Sequence, residues 1–251
     1  MSGRIKQRLA EGETLGAIWL SLGSAAIAEF AAAASPDLIV IDRQHGLWDR
    51  AALEAAIGGT RPASVLVRLA DHAATSISEA LDAGAEGVIA PLVESADQAR
   101  AIVAAARFPP LGLRSGGGVR PLKDFVAYVE RARRETVVGV MIETAAGVAQ
   151  ASQIAAVEGV DFVFIGTGDL SLSLDEFPIP GVKHARALAD ILAACRRAQK
   201  PCGAFTGSAE AAARLADAGF AMVTVASDVD LMREGFLATR AFQRSSERKK
   251  S

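Results

Sequence analysis

Eight short apolar runs rich in β-branched residues, each followed by an alanine-rich stretch of helical spacing, limit this chain to very few folds. The runs begin at Leu15 (LGAIWLSL), Leu38 (LIVID), Ser64 (SVLVRL), Gly87 (GVIAPLV), Val137 (VVGVMIE), Asp161 (DFVFIG), Cys202 (CGAFTG) and Met222 (MVTVAS). Strands buried on both faces read as such continuous runs, and closing eight of them into a ring leaves no exposed edge. The expectation is therefore a (β/α)₈ TIM barrel forming one domain over residues 1–243, with a polar tail at 244–251. The 251 residues suit that fold, which typically takes roughly 250. Gly84 and Gly219 stand where helices end before the next strand. No Gly-x-Gly-x-x-Gly follows the first strand, which argues against a dinucleotide fold.

Charge excludes some partners. The formal net charge is -2 and both signs are interspersed, so no basic face for nucleic acid is expected, and small molecules are the expected partners. The opening segment MSGRIKQRLAEGE lacks the apolar core of a secretory signal, and no apolar run reaches the roughly 20 residues of a spanning helix. A cytoplasmic protein without a membrane partner is expected, with Cys195 and Cys202 as free, buried thiols.

In such a barrel the active site forms at the carboxyl ends of the strands, so polar residues there are the candidates. They are Asp42, Arg43, Gln44 and His45 after the second run, Arg68 ending the third, Glu143 ending the fifth and Asp169 after the sixth. Glu143 and Asp169 are two carboxylates from consecutive units, suited to a hard divalent cation with positions open to substrate. Helix capping would use the same residues, and spacing alone leaves the two readings level. His45 is placed to act as a general base, with Asp42 able to orient it, although a loop histidine bonded to backbone would look the same. Arg68 could bind a carboxylate or a developing oxyanion, or could simply close the rim as an ion pair. His72 lies near a strand end, and His184 is expected to be exposed on a helix. The long connection from Arg107 to Glu135 contains SGGGVR and a helical stretch near residues 124–134, and a connection of that length is often a functional loop or lid.

Taken in order, IDRQHG, VRL, PLVESADQAR, RFPPLGLRSGG, MIETAAGV and FIGTGDLSLSLD carry a resemblance to the HpcH/HpaI aldolases from about Leu15 to about Leu237. The resemblance implies a metal-dependent class II aldolase that joins the enolate of pyruvate or hydroxypyruvate to an aldehyde, giving a 4-hydroxy-2-oxo acid, and cleaves it in reverse. It implies Glu143 and Asp169 as ligands of Mg2+, Mn2+ or Co2+, and His45 as base. Asp42 and Asp82 would raise the basicity of His45, Arg68 would stabilise the enolate oxygen, and the backbone of Gly168 would contact the substrate carboxylate. It also implies a homo-oligomer, a hexamer with the last helix exchanged between neighbours.

Two positions depart from the family pattern. Gln44 stands where a glutamate usually precedes the histidine, and Met141 stands at a substrate-contacting position often held by glutamine. A thioether accepts hydrogen bonds only weakly, so the substrate contacts there are altered. Rival readings are a 2-oxo acid decarboxylase or an acyl-CoA lyase on a related barrel, and a barrel that binds small acids without turnover. A Schiff-base mechanism would need a lysine at the mouth, for which Lys200 and Lys123 are the nearest residues.

Overall fold

The computed structural model describes residues 5–240. Its strands are β1 (Leu15–Leu20), β2 (Leu38–Asp42), β3 (Val65–Arg68), β4 (Gly87–Ala90), β5 (Val137–Ile142), β6 (Phe162–Ile165), β7 (Cys202–Ala204) and β8 (Met222–Ser227). They pair in parallel in chain order and close between β8 and β1, the (β/α)₈ ring expected from the eight runs. The helices are α1 (Ile5–Ala10), α2 (Ala25–Ala33), α3 (Arg50–Gly59), α4 (Ala74–Asp82), α5 (Ala96–Ala106), α6 (Phe125–Glu135), α7 (Ala145–Ala149), α8 (Ala151–Ala155), α9 (Thr167–Ser173), α10 (Val182–Arg197), α11 (Ala209–Asp217) and α12 (Asp228–Ala238). The polar tail expected at 244–251 lies outside the described residues.

Strand side chains alternate between two cores. Ile39, Ile41, Val65, Val67, Val88, Val138 and Val163 point outward under the helices. Leu15, Ala17, Trp19, Leu38, Val40, Leu66, Ile89, Val137, Met141, Phe162, Phe164 and Met222 fill the barrel interior. Two interior phenylalanines on one strand need space beside them. A Cβ on Gly139 would come within 2.3 Å of the Phe162 ring, and one on Gly203 within 2.7 Å of Phe164, so glycines on the flanking strands β5 and β7 admit the rings of β6.

The amino-terminal segment does more than its polarity suggested. In α1, Ile5 and Leu9 sit one turn apart and join the interior core, and the Ile5 backbone N–H donates to Glu86 at 2.7 Å. The helix therefore packs at the amino ends of the strands. At the other end of the chain α12 stands on the surface, exposing Leu231, Met232, Phe236 and Leu237.

The long connection is a 3₁₀ turn (Pro121–Asp124) followed by α6, and it is not a lid over the strand ends. It follows α5, which runs antiparallel to the strands, and its anchors lie at the amino end of the barrel. Arg114 donates to Asp82 at 2.6 Å and Arg120 donates to the Ala83 and Glu54 carbonyls. The glycines of SGGGVR fit around these anchors, with Gly116 against Phe125 and Gly118 at φ +91 against Asp82.

Replacing Phe162 by alanine should lower stability by about 3–5 kcal/mol, because a fully buried ring between β5 and β6 leaves a cavity. Gly139→Ala should lower it by about 1–3 kcal/mol through overpacking. A urea midpoint unchanged in both variants would show that the interior is not packed as described.

Candidate active site

Each strand of the barrel delivers its last inward-facing residue to the same mouth. Counting by twos from Leu38 reaches Asp42, from Leu66 reaches Arg68, and from Val137 reaches Met141 and Glu143. A cavity of about 360 Å³ opens there, lined by these four residues together with His45, Gly168 and Asp169. A larger cleft of about 840 Å³ lies at the amino ends of the strands beside Arg61, Lys123 and Arg131. We place the site at the carboxyl-end cavity because the convergent carboxylates are there, where barrels of this type carry their chemistry.

Arg68 and Asp42 form a two-pronged ion pair. Nε of Arg68 donates to Oδ1 at 2.8 Å and Nη2 donates to Oδ2 at 2.5 Å, with both side chains buried. Trp19, at the end of β1, supports both. Its ring centroid lies 5.1 Å from the guanidinium carbon, and its indole N–H donates to Asp42 at 3.3 Å. The ring is held in turn by Phe164, stacked at 5.7 Å, and by Phe205, edge-on at 5.3 Å. Burial pushes the Asp42 carboxyl upward, but the hydrogen bonds and charge of Arg68 outweigh it, leaving the group below the usual carboxylate range.

This arrangement changes the role expected of Asp42. Rather than orienting the His45 ring, Oδ1 accepts the backbone N–H groups of Gln44 at 3.0 Å and His45 at 3.2 Å. Asp42 thus fixes the loop that carries the histidine. The ring of His45 is exposed at the cavity edge and has no hydrogen-bond partner among the described residues. Asp82 is not beside His45 within this chain: it ends α4 at the opposite end of the barrel, where Arg114 engages it.

Glu143 is almost wholly buried and faces Asp169 within hydrogen-bonding reach. Its Oε1 accepts the Leu92 N–H at 2.7 Å, and its Oε2 is buried without a partner among the described residues. Burial first, and then the neighbouring charge of Asp169, raise Glu143 to about 7 against the opposing pull of the Leu92 N–H and Arg68. Capping does not explain either carboxylate. Thr144 caps α7 by accepting the Gly147 N–H, and Gly166 occupies the N-cap of α9 with Asp169 inside the first turn. Gly166 is required for a different reason, since a Cβ there would come within 2.1 Å of Glu143 Oε2. Two facing carboxylates, one with an unpartnered buried oxygen, fit a divalent cation. Among the described residues no third His, Cys, Asp or Glu joins them, which matches a set completed by solvent and substrate.

The backbone around Gly168 adds donors. Gly166 offers no side chain to cap the first-turn amides of α9, and a Cβ on Gly168 would meet nothing within 4 Å, so the peptide is open to the cavity. Met141 lines the cavity whereas Gln44 does not.

The other candidates have structural roles. His72 contacts the Pro91 carbonyl, and His184, buried rather than exposed, pairs its Nε2 with the Thr167 carbonyl at 3.0 Å, bracing α9 from α10. Lys200 donates to the Val160 carbonyl at 2.6 Å and Lys123 lines the amino-end cleft, so neither reaches the mouth. Trp19, Phe205, Val229 and Asp230 line the cavity and escaped the sequence reading. Only Trp19 had a usable signal, being an aromatic residue inside an apolar run at an inward position near its end.

The model of the HpcH/HpaI aldolase/citrate lyase family matches residues 16–235. This chain belongs to that family. A 4-hydroxy-2-oxovalerate aldolase of Rhodococcus jostii (strain RHA1) is 36% identical over 90% of this chain and 90% of its own length. A hydroxypyruvate/pyruvate aldolase of Sagittula stellata is 35% identical over 95% of this chain and 96% of its own. The crystal structure of an HpcH/HpaI aldolase/citrate lyase family protein from Burkholderia cenocepacia J2315 aligns with a TM-score of 0.88 at 33% identity, covering 98% of this chain and 99% of that one. The family and these relatives identify the chain as an enzyme, a lyase of the aldolase type.

Asp42→Asn should cost about 3 kcal/mol at pH 7, since it leaves Arg68 buried against a neutral group. The Asp42 pKa is lowered by folding, so its contribution is complete above the unfolded value near 4 and is lost as pH falls through the folded value. Urea unfolding should therefore show the gap between wild type and variant closing in acid; a constant gap would contradict the ion pair. The Glu143 carboxyl is shifted the other way, upward. Mn2+ affinity, read by calorimetry on the metal-free protein, should fall about tenfold per pH unit below about 7, because a cation must then displace a proton.

Proposed function

We propose that this enzyme is a class II aldolase that forms the enolate of pyruvate or hydroxypyruvate and adds it to an aldehyde, giving a 4-hydroxy-2-oxo acid, with the reverse cleavage at the same site. The observation that carries this reading is the facing pair Glu143 and Asp169 in a cavity that also holds His45 and Arg68. Glu143 and Asp169 would hold a divalent cation, with Mg2+, Mn2+ and Co2+ all suited to such oxygen ligands. When bound, that cation supplies Lewis-acid polarisation of the donor's ketone.

The chain's own groups supply the rest. The amides at the start of α9, around Gly168, would receive the donor's carboxylate, and the open space above Gly168 leaves room for it. Nη1 of Arg68, which takes no part in the pair with Asp42, would donate to the oxygen that gains charge as the enolate forms. His45 would accept the proton leaving C3, its exposed ring being free to turn toward the donor. The electron pair left at C3 then forms the new bond to the aldehyde carbon, and the aldehyde oxygen takes up a proton to become the 4-hydroxyl. Cleavage reverses each step. Met141 offers the donor an apolar contact in place of an amide.

We also propose a cytoplasmic homo-oligomer. The free, buried Cys195 and Cys202 suit a reducing compartment, and no helix among the described residues is long and apolar enough to cross a membrane. The exposed apolar side chains of α12 favour burial against another copy of the chain. The hexamer and the exchange of the last helix rest on the family resemblance.

The test is solvent deuterium exchange at C3 of pyruvate and hydroxypyruvate, followed by NMR. Exchange should require added Mn2+ or Mg2+, vanish with chelator and in Glu143→Ala, and slow by about a hundredfold or more in His45→Ala. Full exchange in Glu143→Ala with metal removed would overturn the reading.

A further inference from the structure

We infer that the acceptor half of this cavity selects uncharged aldehydes with short apolar chains and rejects aldehydes that carry a carboxylate, an inference that rests on the aldolase reading above. With the donor placed at Glu143, Asp169 and Gly168, the wall left for the acceptor comes from the last two βα units. Phe205, just beyond β7, and Val229, at the start of α12, provide its apolar surface. Asp230 provides its charge.

The distribution of charge decides the chemistry. Among the described residues four acidic side chains line the cavity, Asp42, Glu143, Asp169 and Asp230, against Arg68 as the only lysine or arginine. Arg68 is already committed to Asp42 through two hydrogen bonds, and in the proposed reaction its Nη1 would serve the donor's oxygen. A cation held by Glu143 and Asp169 would be matched by those two carboxylates. Apart from His45, which is cationic only while it holds the C3 proton, no uncommitted cation therefore remains among the described residues for a second carboxylate.

Asp230 stands at the rim. Its Oδ2 accepts the Ser227 hydroxyl at 2.7 Å, and its Oδ1 pairs at 2.6 Å with Arg233, a largely exposed side chain outside the lining. An exposed pair of that kind is weak, so Arg233 does not cancel the field that Asp230 places in the cavity. The neutral hydroxyls nearby are also engaged, Ser21 donating to Asp42 and Thr167 donating to the Phe205 carbonyl. A carboxylated acceptor would lose its hydration and gain no counter-charge, while an alkyl chain would gain contact with Phe205 and Val229.

The experiment compares two acceptors of equal length, butanal and 4-oxobutanoate, with pyruvate as donor and with C3 deuterium exchange run in parallel. The wild-type enzyme should show kcat/KM for butanal at least about tenfold above that for 4-oxobutanoate, with the ratio narrowing as salt is raised. In Asp230→Lys the ratio should fall by at least about fivefold, with the larger change at low salt. Equal use of both aldehydes, or a preference for 4-oxobutanoate, would overturn the inference while leaving the aldolase reading intact. An unchanged ratio in Asp230→Lys would overturn the assignment to this side chain. Loss of C3 exchange in the wild type would remove the aldolase reading, and the inference with it.

Discussion

The mouth of this barrel is organised around an unfavourable contact, two carboxylates brought within hydrogen-bonding reach where one of them is buried. Glu143 and Asp169 repel when both are charged, and water cannot solvate Glu143 freely. A fold keeps such a pair only if its surroundings fix both partners. Leu92, held at φ +53, presents its N–H to Glu143, and His184 braces the first residue of α9. Left-handed backbone at a leucine costs about 1–2 kcal/mol, so local strain helps to aim the donor. That investment has a chemical use once a cation and an anionic 2-oxo acid share the space between the carboxylates.

Arg68 and Asp42 show the opposite solution to a buried charge. The guanidinium and carboxylate satisfy each other directly, and Trp19 shields them on the barrel side. Because Asp42 is bound on both oxygens, it fixes the backbone of the histidine loop rather than tuning the imidazole. The imidazole of His45 is left exposed at the rim while the backbone that carries it is fixed. Such a division suits a group that must approach and withdraw from a substrate carbon without disturbing the charge around the enolate oxygen.

Much of this was legible in the sequence because strand alternation is a strict geometric rule. Once the apolar runs are aligned as strands, Asp42, Arg68 and Glu143 fall at their carboxyl ends, and closure of the ring brings them together although they are far apart in the chain. Asp169 needed the family motif as well, since its place inside α9 could equally have been a cap. What could not be read depended on packing across the barrel. Nothing local distinguishes Trp19 from any other aromatic strand residue, and its role arises from Phe164 on β6 and Phe205 just beyond β7. His184 looked exposed because its neighbours in α10 are polar, yet it faces the barrel and meets Thr167. The insertion looked like a lid because length carries no direction; the preceding helix α5 returns the chain to the amino end, and the loop follows it there.

The two departures from the family pattern now separate. Gln44 lies outside the cavity lining, so the lost carboxylate at that position bears on the loop beneath His45 and not on the donor. Met141 lies inside it, on the same inward row as Glu143 and almost wholly buried. Replacing an amide by a thioether removes a strong donor and acceptor from the donor's side of the cavity. In the proposed reaction, donor recognition would then fall more heavily on Arg68, the amides of α9 and a cation held by the two carboxylates, all of which would address the carboxylate and ketone common to every 2-oxo acid. A hydroxyl at C3 gains no hydrogen bond from Met141, which removes one source of preference for hydroxypyruvate over pyruvate.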